Sequence, residues 1–287
     1  MGILSGLEGF GLGGLANADI FGEDKPEQKP VKEKKEEEPK SQGVSEADLI
    51  FSKGFTCPCC DHEFKSKTVK IGKARLVDAD MDLRPKYDYI DSLKYDVIMC
   101  PYCGYAALSR FFSNLTQAQA KLIKVNISQA FQNSEAVGEI YTYDEAIERY
   151  KLALANAVVK RARASEKAYI CLKLAWVIRG KGENLDPELS DYQSQLDACK
   201  KEEEELLHSA LDGFIAARQT ETYPMCGMDE STVDYMLAVF YYRFGQYEAS
   251  AKLVSGILTS NTANKRMKDK ARNLKDEIVA SIKGRKS

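Results

Sequence analysis

Two closely spaced pairs of cysteines constrain this chain more than any other feature of its sequence. The first pair lies in the stretch CPCC at positions 57–60 and the second in CPYC at positions 100–103, so each pair has two intervening residues. This spacing lets a tight turn, which we call a knuckle, direct both sulfurs to one side, and two knuckles complete a tetrahedral shell of four thiolates. The sequence therefore predicts one structural zinc ion, with the ligands Cys57, Cys60, Cys100 and Cys103.

Neighbouring residues leave alternatives open around this predicted site. Cys59 is a spare thiol, because cysteines that are adjacent or one residue apart fit the turn less well; it is either an idle buried thiol or a redox thiol whose oxidation ejects the metal. His62 is an alternative ligand, although four thiolates need no substitute. An iron–sulfur cluster is the alternative occupant. A shell of four thiolates has no open position for substrate, so the metal is expected to hold the fold.

The composition favours a soluble protein of a reducing compartment. The 41 basic and 43 acidic residues leave a formal net charge of −2, so no overall field attracts nucleic acid or an anionic membrane. The sequence has no run of about 18 apolar residues, so no membrane-spanning helix is expected, and its N-terminus lacks the pattern of a secretory signal. We therefore expect a cytoplasmic protein whose eight cysteines are metal ligands or buried thiols rather than disulfides.

The chain divides into four stretches. Residues 1–22 form an apolar, glycine-rich segment that is a possible docking peptide, and residues 23–45 form a charged linker that contains no aromatic residue and is expected to be disordered. Residues 46–114 carry short strand signals, and residues 115–284 have a helical period. The expected fold class is α+β, mostly α: a small zinc-ribbon-like β domain followed by a tetratricopeptide-like stack of helical hairpins.

The helical half resembles tetratricopeptide repeats at several places. Gly245, Gln246 and Tyr247 match the turn between the two helices of such a repeat, and the segment from Tyr143 resembles a second helix. An excess of roughly twenty residues before Leu206 makes the repeats irregular. Stacks of this kind commonly bind a peptide on their concave face, whereas the alternative is a helical bundle that only supports the ribbon.

The polar region between the knuckles suggests two further functions. Basic residues of one strand parity could share a face that contacts nucleic acid, with tyrosines that stack on bases, although nearby aspartates offset the charge. The other function is an enzyme with Arg75, Asp80 and Asp82 as candidate acids or anchors, and this hypothesis rests only on a family resemblance. The candidate residues for a ligand or nucleic-acid contact are Lys65, Lys67, Lys73, Arg75, Asp80, Asp82, Tyr87 and Tyr95.

The region from Phe55 to about Phe112 resembles the bacterial family named domain of unknown function 2225. The resemblance rests on the two knuckles, on the polar residues between them and on the stretch CPYCGYAA from Cys100. This sequence departs from the usual pattern at Asp61, where a glycine normally follows the first knuckle, and at Cys59. The resemblance implies a zinc-ribbon head followed by tetratricopeptide-like helices, and it implies no activity.

Taken together, these features predict a non-enzymatic, zinc-containing adaptor or scaffold that binds a protein or peptide partner through its helical repeats. The sequence contains neither a Ser/His or Cys/His dyad nor a glycine loop for phosphate ahead of a helix. The alternatives are a nucleic-acid-binding zinc ribbon and a thiol-based redox or zinc sensor.

Overall fold

The structure is a computed structural model that describes residue 11 and residues 44–133 and 138–284. The predicted docking peptide and linker lie outside the described residues, apart from residues 11, 44 and 45. Short antiparallel sheets come first in the described chain and a series of helices follows, which confirms the predicted α+β, mostly α class.

Six strands form three separate two-stranded antiparallel sheets. The strands are β1 (Ile50–Thr56), β2 (Glu63–Val69), β3 (Leu76–Ala79), β4 (Pro85–Tyr87), β5 (Val97–Met99) and β6 (Ala106–Leu108). Short 3-10 helices cover Glu46–Leu49 and Ser92–Tyr95. The first knuckle connects β1 to β2 and the second connects β5 to β6. Each knuckle is therefore the loop between two paired antiparallel strands.

The basic residues that follow the first knuckle do not lie on one continuous strand. Strand β2 ends at Val69, and the chain then turns at Gly72, whose φ of 72° lies in the left-handed region. Lys65 and Lys67 keep the same parity on β2, but the turn interrupts that parity before Lys73 and Arg75. The expectation that all four basic side chains share a strand face is therefore wrong, because a glycine turn resets the alternation.

Seven α-helices follow in the described part of the chain. They are α1 (Gln117–Ile123), α2 (Tyr143–Val159), α3 (Ala164–Glu183), α4 (Tyr192–Thr220), α5 (Glu230–Arg243), α6 (Tyr247–Thr259) and α7 (Lys265–Gly284), and a π-helical turn, Lys124–Ser128, continues α1. From α2 onward each helix packs against the next one in the chain. The helices therefore form a series of hairpins.

Local sequence signals explain where several of these helices begin. Thr142 and Glu145 form a capping box on α2: the Thr142 hydroxyl oxygen accepts from the Glu145 amide at 3.1 Å, and the Glu145 carboxylate accepts from the Thr142 amide at 2.6 Å. The turn predicted at Gly245 lies between α5 and α6, where Gly245 has a φ of 72°. Much of the excess before Leu206 is helical, since α4 already begins at Tyr192.

The largest hydrophobic cluster joins the strands to the helices. It extends from the cysteine knuckles, through the rings of Phe64 and Phe112, to the buried faces of α2, α3, α4 and α5. Hydrogen bonds join the two halves: Tyr150 on α2 donates to the carbonyl of Leu93 at 3.1 Å, and Asn156 on α2 donates to the carbonyl of Gly104 at 2.9 Å. The packing is thus continuous across position 114. Among the described residues, no helix combines the length and apolar content needed to cross a bilayer.

Candidate metal centre

The two knuckles have the same backbone hydrogen bonds. In the first knuckle the Cys57 amide donates to the carbonyl of His62 at 3.0 Å, and the Asp61 amide donates to the carbonyl of Cys57 at 2.9 Å. In the second, the Cys100 amide donates to Tyr105 at 2.8 Å and the Gly104 amide to Cys100 at 3.1 Å. The strand pair that flanks each knuckle thus closes the same turn, which directs the sulfurs inward.

The residue after each knuckle adopts a left-handed conformation. Gly104 has a φ of 71° and Asp61 a φ of 62°. Glycine takes this conformation without penalty, and aspartate is among the few other residues that tolerate it. The departure at Asp61 therefore leaves the geometry of the first knuckle equivalent to that of the second.

The structure brings together the four sulfurs that the sequence predicts. All four Sγ atoms lie within 4.8 Å of one another, with 3.6 Å between Cys57 and Cys103 and 3.6 Å between Cys60 and Cys100. Tetrahedral coordination at zinc–sulfur bonds of about 2.3 Å separates the ligand sulfurs by about 3.8 Å. A disulfide would need about 2 Å, and all eight cysteines are free thiols. The cluster therefore fits a four-coordinate metal ion.

Burial and mutual hydrogen bonding tune these thiols. Cys57 and Cys100 are fully buried, and Cys103 is nearly so. Hydrogen bonds from Cys103 and Cys57 lower the pKa of Cys100, whereas the bond with Cys100 is the main cause that raises the pKa of Cys57 and of Cys103. A metal must displace the protons of these thiols when it binds, so metal affinity should fall as the pH falls.

The spare thiol Cys59 and the alternative ligand His62 lie outside the four-sulfur cluster. Cys59 is buried, and its sulfur lies 3.8 Å from the carbonyl of Ala120 on α1 and also hydrogen-bonds with Cys103. Its amide lies 3.4 Å from the sulfur of Cys57. The ring of His62 stacks on Tyr102 with 4.6 Å between centroids. Both side chains therefore border the group of four sulfurs without belonging to it: Cys59 contacts Cys103, and the His62 ring lies 3.0 Å from the carbonyl of Cys60.

Asp80 and Asp82 belong to a network of charged residues that attaches the polar region to the helices. The Arg179 guanidinium on α3 donates to Asp80 at 2.9 Å and to both carboxylate oxygens of Asp82 at 3.0 and 2.5 Å. The indole of Trp176 also donates to Asp82, at 2.9 Å. Glu203 on α4 accepts from Arg179 at 2.9 Å. We call these five residues the ion network.

Sequence reasoning missed the helical half of the ion network. The partners of Asp82 lie 94 and 97 residues further along the chain, and nothing in the local pattern around them indicates that pairing. The only available signal was a buried helix face that carries an arginine next to apolar residues. A charged side chain on such a face predicts that a buried partner of opposite charge exists, but it does not indicate which residue that partner is.

The other six candidate residues do not converge on one place. Lys65, Lys73 and Arg75 are exposed, and Lys67 donates to the carbonyl of Gly138 and lies over the ring of Tyr141. Tyr95 is buried, and its hydroxyl donates to Glu46 at 2.6 Å. Tyr87 is half-buried and lines a separate cavity.

That cavity is a polar cleft of about 380 Å³ between the strand region and helices α2 and α3. Buried Arg84 donates to Glu183 at 2.8 Å, and buried Lys94 lies 2.7 Å from Glu46. The carboxyl of Asp91 also lines the cleft, and burial raises its pKa. The lining residues are Glu46, Arg84, Pro85, Lys86, Tyr87, Tyr89, Ile90, Asp91, Lys94, Tyr143, Glu183 and Asn184.

Comparison with known proteins places this architecture in a family. The chain matches no curated protein and no solved structure. A family model described as an uncharacterized protein conserved in bacteria, domain of unknown function 2225, matches residues 50–278, which include both knuckles, the ion network and most of the helices. The chain therefore belongs to this family, as the resemblance between Phe55 and Phe112 predicted.

Proposed function

We propose that this protein is a non-enzymatic adaptor in which a structural zinc ion fixes the strand region on a helical stack that binds a protein or peptide partner. The observation that carries the proposal is the closed cluster of four sulfurs, all within 4.8 Å of one another where the strands meet the helices, with three of the cysteines buried and Cys60 half-buried. A metal held there has its coordination filled by protein. Its contribution is then to folding.

Zinc is the ion that best suits this cluster. Four thiolates in a tetrahedral arrangement are typical ligands of structural zinc, which contributes on the order of 10 kcal/mol of apparent binding free energy in small domains. The strand region consists of three separate two-stranded sheets, and such small sheets are marginal by themselves. Zinc would tie together the ends of two of these strand pairs.

The environment of the two histidines and of two buried thiols supports a non-enzymatic role. The chain's two histidines each stack on an aromatic ring, His62 on Tyr102 and His208 on Phe244. Burial raises the pKa of the Cys171 thiol to about 12, and that of Cys226 to about 12 as well. Thiols with such pKa values are almost entirely protonated at neutral pH and are therefore poor nucleophiles.

The polar cleft supplies a surface on which a partner can be held. It lies beside the start of α2 and the end of α3, and exposed Tyr89 lies at its edge with a φ of 63°. A left-handed tyrosine is costly, and exposed aromatic side chains are frequent anchors at protein interfaces. The three basic and three acidic residues of the lining favour a polar peptide that carries both charges.

Affinity capture from native extract, with the full chain as bait, tests the adaptor role. We expect the unaltered bait and a Val279→Ser control to retain the same stoichiometric partner, and a Tyr89→Ser bait to lose it, because Val279 is an exposed apolar residue on α7 away from the cleft lining. Absence of any stoichiometric partner would contradict the proposal. A partner that all three baits retain equally would contradict binding at the cleft.

The alternative functions make different predictions in the same preparations. A nucleic-acid-binding ribbon should bind single strands at low salt and lose affinity steeply as salt rises. A redox or zinc sensor should lose zinc after mild peroxide treatment through Cys59. Tyr95 is buried and is therefore removed from stacking on bases, which does not favour nucleic-acid binding. Cys59 is buried and is therefore shielded from oxidant, which does not favour the redox or zinc sensor.

A further inference from the structure

One turn of the strand region projects an isoleucine entirely into solvent. Residues 70–73 form a turn in which the Lys73 amide donates to the carbonyl of Lys70 at 3.2 Å and Gly72 supplies the left-handed residue. Ile71 occupies the apex and is 101% exposed. No described residue covers this side chain, so only contact with something outside the described residues could bury it.

Two more apolar side chains are exposed on the adjoining strand. Leu76 is 51% and Val77 59% exposed. Consecutive residues of a strand normally point to opposite faces, but the register of β3 and β4 passes from Leu76↔Tyr87 to Asp78↔Lys86, so Val77 is the extra residue of a bulge. We call Ile71, Leu76 and Val77 the apolar tip. None of the three lines the polar cleft.

Basic residues flank Ile71 in the chain, at Lys70, Lys73 and Arg75. Between Lys65 and Val77 the sequence has five basic residues and no acidic one. The acidic groups nearest in the chain and its pairing are Glu63, Asp48, Asp78 and Asp88; the backbone carbonyl of Asp48 accepts from the Lys70 amine at 2.7 Å, and the Asp78 carboxylate accepts from the Ala79 amide at 2.7 Å. The turn from Lys70 to Arg75 is thus a locally basic segment with Ile71 at its apex, on a chain of nearly neutral net charge.

We propose that the apolar tip is a membrane contact that inserts into the surface of an anionic lipid bilayer. A convex turn whose apical side chain is fully exposed offers no groove for a peptide, whereas a lipid interface surrounds a protruding apolar side chain without requiring one. Lysine and arginine around the tip are attracted to anionic headgroups, which strengthens binding roughly fivefold for each side chain near the surface. The proposal does not depend on the partner bound in the polar cleft.

Vesicle co-sedimentation of the full chain tests this proposal. The probe is a vesicle of phosphatidylcholine with about one third phosphatidylglycerol, compared with pure phosphatidylcholine. We expect binding to the anionic vesicles only. The double variant Ile71→Ser/Val77→Ser should lose at least about tenfold in affinity, because two exposed apolar side chains are removed. The matched control Leu189→Ser/Val279→Ser, also at exposed apolar positions, should bind normally.

A charge series tests the electrostatic part. Lys73→Gln/Arg75→Gln should weaken binding roughly twentyfold, whereas Lys265→Gln/Lys275→Gln, at exposed positions of α7, should have little effect. Raising the salt should weaken binding of the unaltered chain, since charges separated by more than about 10 Å are screened at 0.1 M. Zinc content and circular dichroism should match in all variants, which separates loss of the contact from loss of the fold.

Fluorescence locates the contact on the tip itself. The chain has a single tryptophan, Trp176, which is buried. An Ile71→Trp variant should therefore shift its emission to the blue with anionic vesicles, while the unaltered chain should not. Three results would overturn the proposal: no binding to anionic vesicles, equal loss or retention in tip and control variants, or a protein partner that the tip variants lose in the absence of vesicle binding.

Discussion

At the scale of single residues, position within the knuckle decides which cysteine faces the metal site. Cys59 lies between two predicted ligands in the chain, yet its sulfur lies beside the four-sulfur cluster, near Ala120 and Cys103, whereas the sulfurs of Cys57 and Cys60 belong to the cluster. The reason is the turn: residues three apart across a tight turn return to the same side, and the residue between them does not.

Cysteine-to-serine substitutions test this assignment. Cys57→Ser or Cys100→Ser should abolish stoichiometric zinc and lower the thermal midpoint, because each removes one of four ligands from a buried cluster. Cys59→Ser should retain one zinc per chain and change stability by little more than about 1 kcal/mol. Elemental analysis and thermal unfolding provide the measurements. Zinc loss in Cys59→Ser, with retention in Cys57→Ser, would reverse the assignment.

The carboxylate of Asp82 is expected to be a major contributor to stability. It is buried and accepts hydrogen bonds from Trp176 and Arg179, so Asp82→Ala leaves the Arg179 charge with fewer partners and should cost about 3 kcal/mol in the free energy of unfolding. Exposed Asp78 is the matched control, and Asp78→Ala should remain within about 0.5 kcal/mol. Urea unfolding monitored through Trp176 fluorescence distinguishes these outcomes. Equal effects would mean that the ion network does not stabilise the fold.

The pKa of Asp80 predicts a specific acid sensitivity. Burial acts to raise this pKa, but hydrogen bonds from Lys86 and Arg179, together with their charges, lower it below the usual value. Because the folded-state pKa is the lower one, the stabilisation is complete above a pH of about 4 and is lost as the pH falls through the folded-state value.

We therefore expect the urea midpoint of the unaltered chain to fall more steeply between about pH 5 and pH 3 than that of Asp80→Asn. Zinc content should be measured across the same series, since acid also protonates the thiolate ligands. Parallel curves at equal zinc content would contradict the predicted role of Asp80.

At the scale of elements, the two knuckles are equivalent turns with different residues at one position. Asp61 and Gly104 share the left-handed conformation, but a Cβ added to Gly104 would lie 2.5 Å from the ring of Phe131. That distance is far too short for two carbon atoms. The second knuckle therefore needs glycine both for its positive φ and for the close approach of Phe131. The first knuckle needs only a residue that tolerates a positive φ.

Alanine and glycine substitutions separate these two requirements. Asp61→Ala should be about 1 kcal/mol less stable than Asp61→Gly, because only the backbone conformation is at issue. Gly104→Ala should cost more, with weaker zinc retention, since Phe131 must also move. Gly54→Ala is the control, as no atom lies within 4 Å of its added Cβ. A Gly104→Ala variant as stable as Gly54→Ala would refute the argument.

The elements also show how far local sequence signals extend. The start of α2 and the turn at Gly245 were predictable, because a cap and a glycine turn depend on residues within a few positions. The end of β2 and the early start of α4 were not. A glycine turn among lysines and a charged stretch that becomes helical both depend on what the neighbouring elements bury.

At the scale of the whole molecule, the cysteines of the candidate metal centre belong to the main core, while the C-terminal helices have a second one. Cys57, Cys100 and Cys103 lie in the cluster that contains Phe64 and Phe112. The second cluster joins α5, α6 and α7 and contains no ligand cysteine. Loss of metal should therefore affect the two regions unequally.

Hydrogen exchange with and without a zinc chelator tests this expectation. Amides of residues 50–108 should exchange faster after chelation, because the ends of two strand pairs are no longer tied together. Amides of α6 and α7 should change little, and added zinc should restore the original pattern. Uniform acceleration along the chain would show that metal and helices unfold as one unit.

The sequence by itself determined the four sulfurs, the order of strands before helices and the family, because each depends on spacing or periodicity along a short stretch of chain. Only the tertiary structure decided the partners of Asp82, the composition of the polar cleft and the exposure of Ile71. Those properties depend on residues that are distant in the chain, such as Asp82 and Trp176, which are 94 positions apart. Long-range packing selects such pairs, and a local pattern carries no information about them.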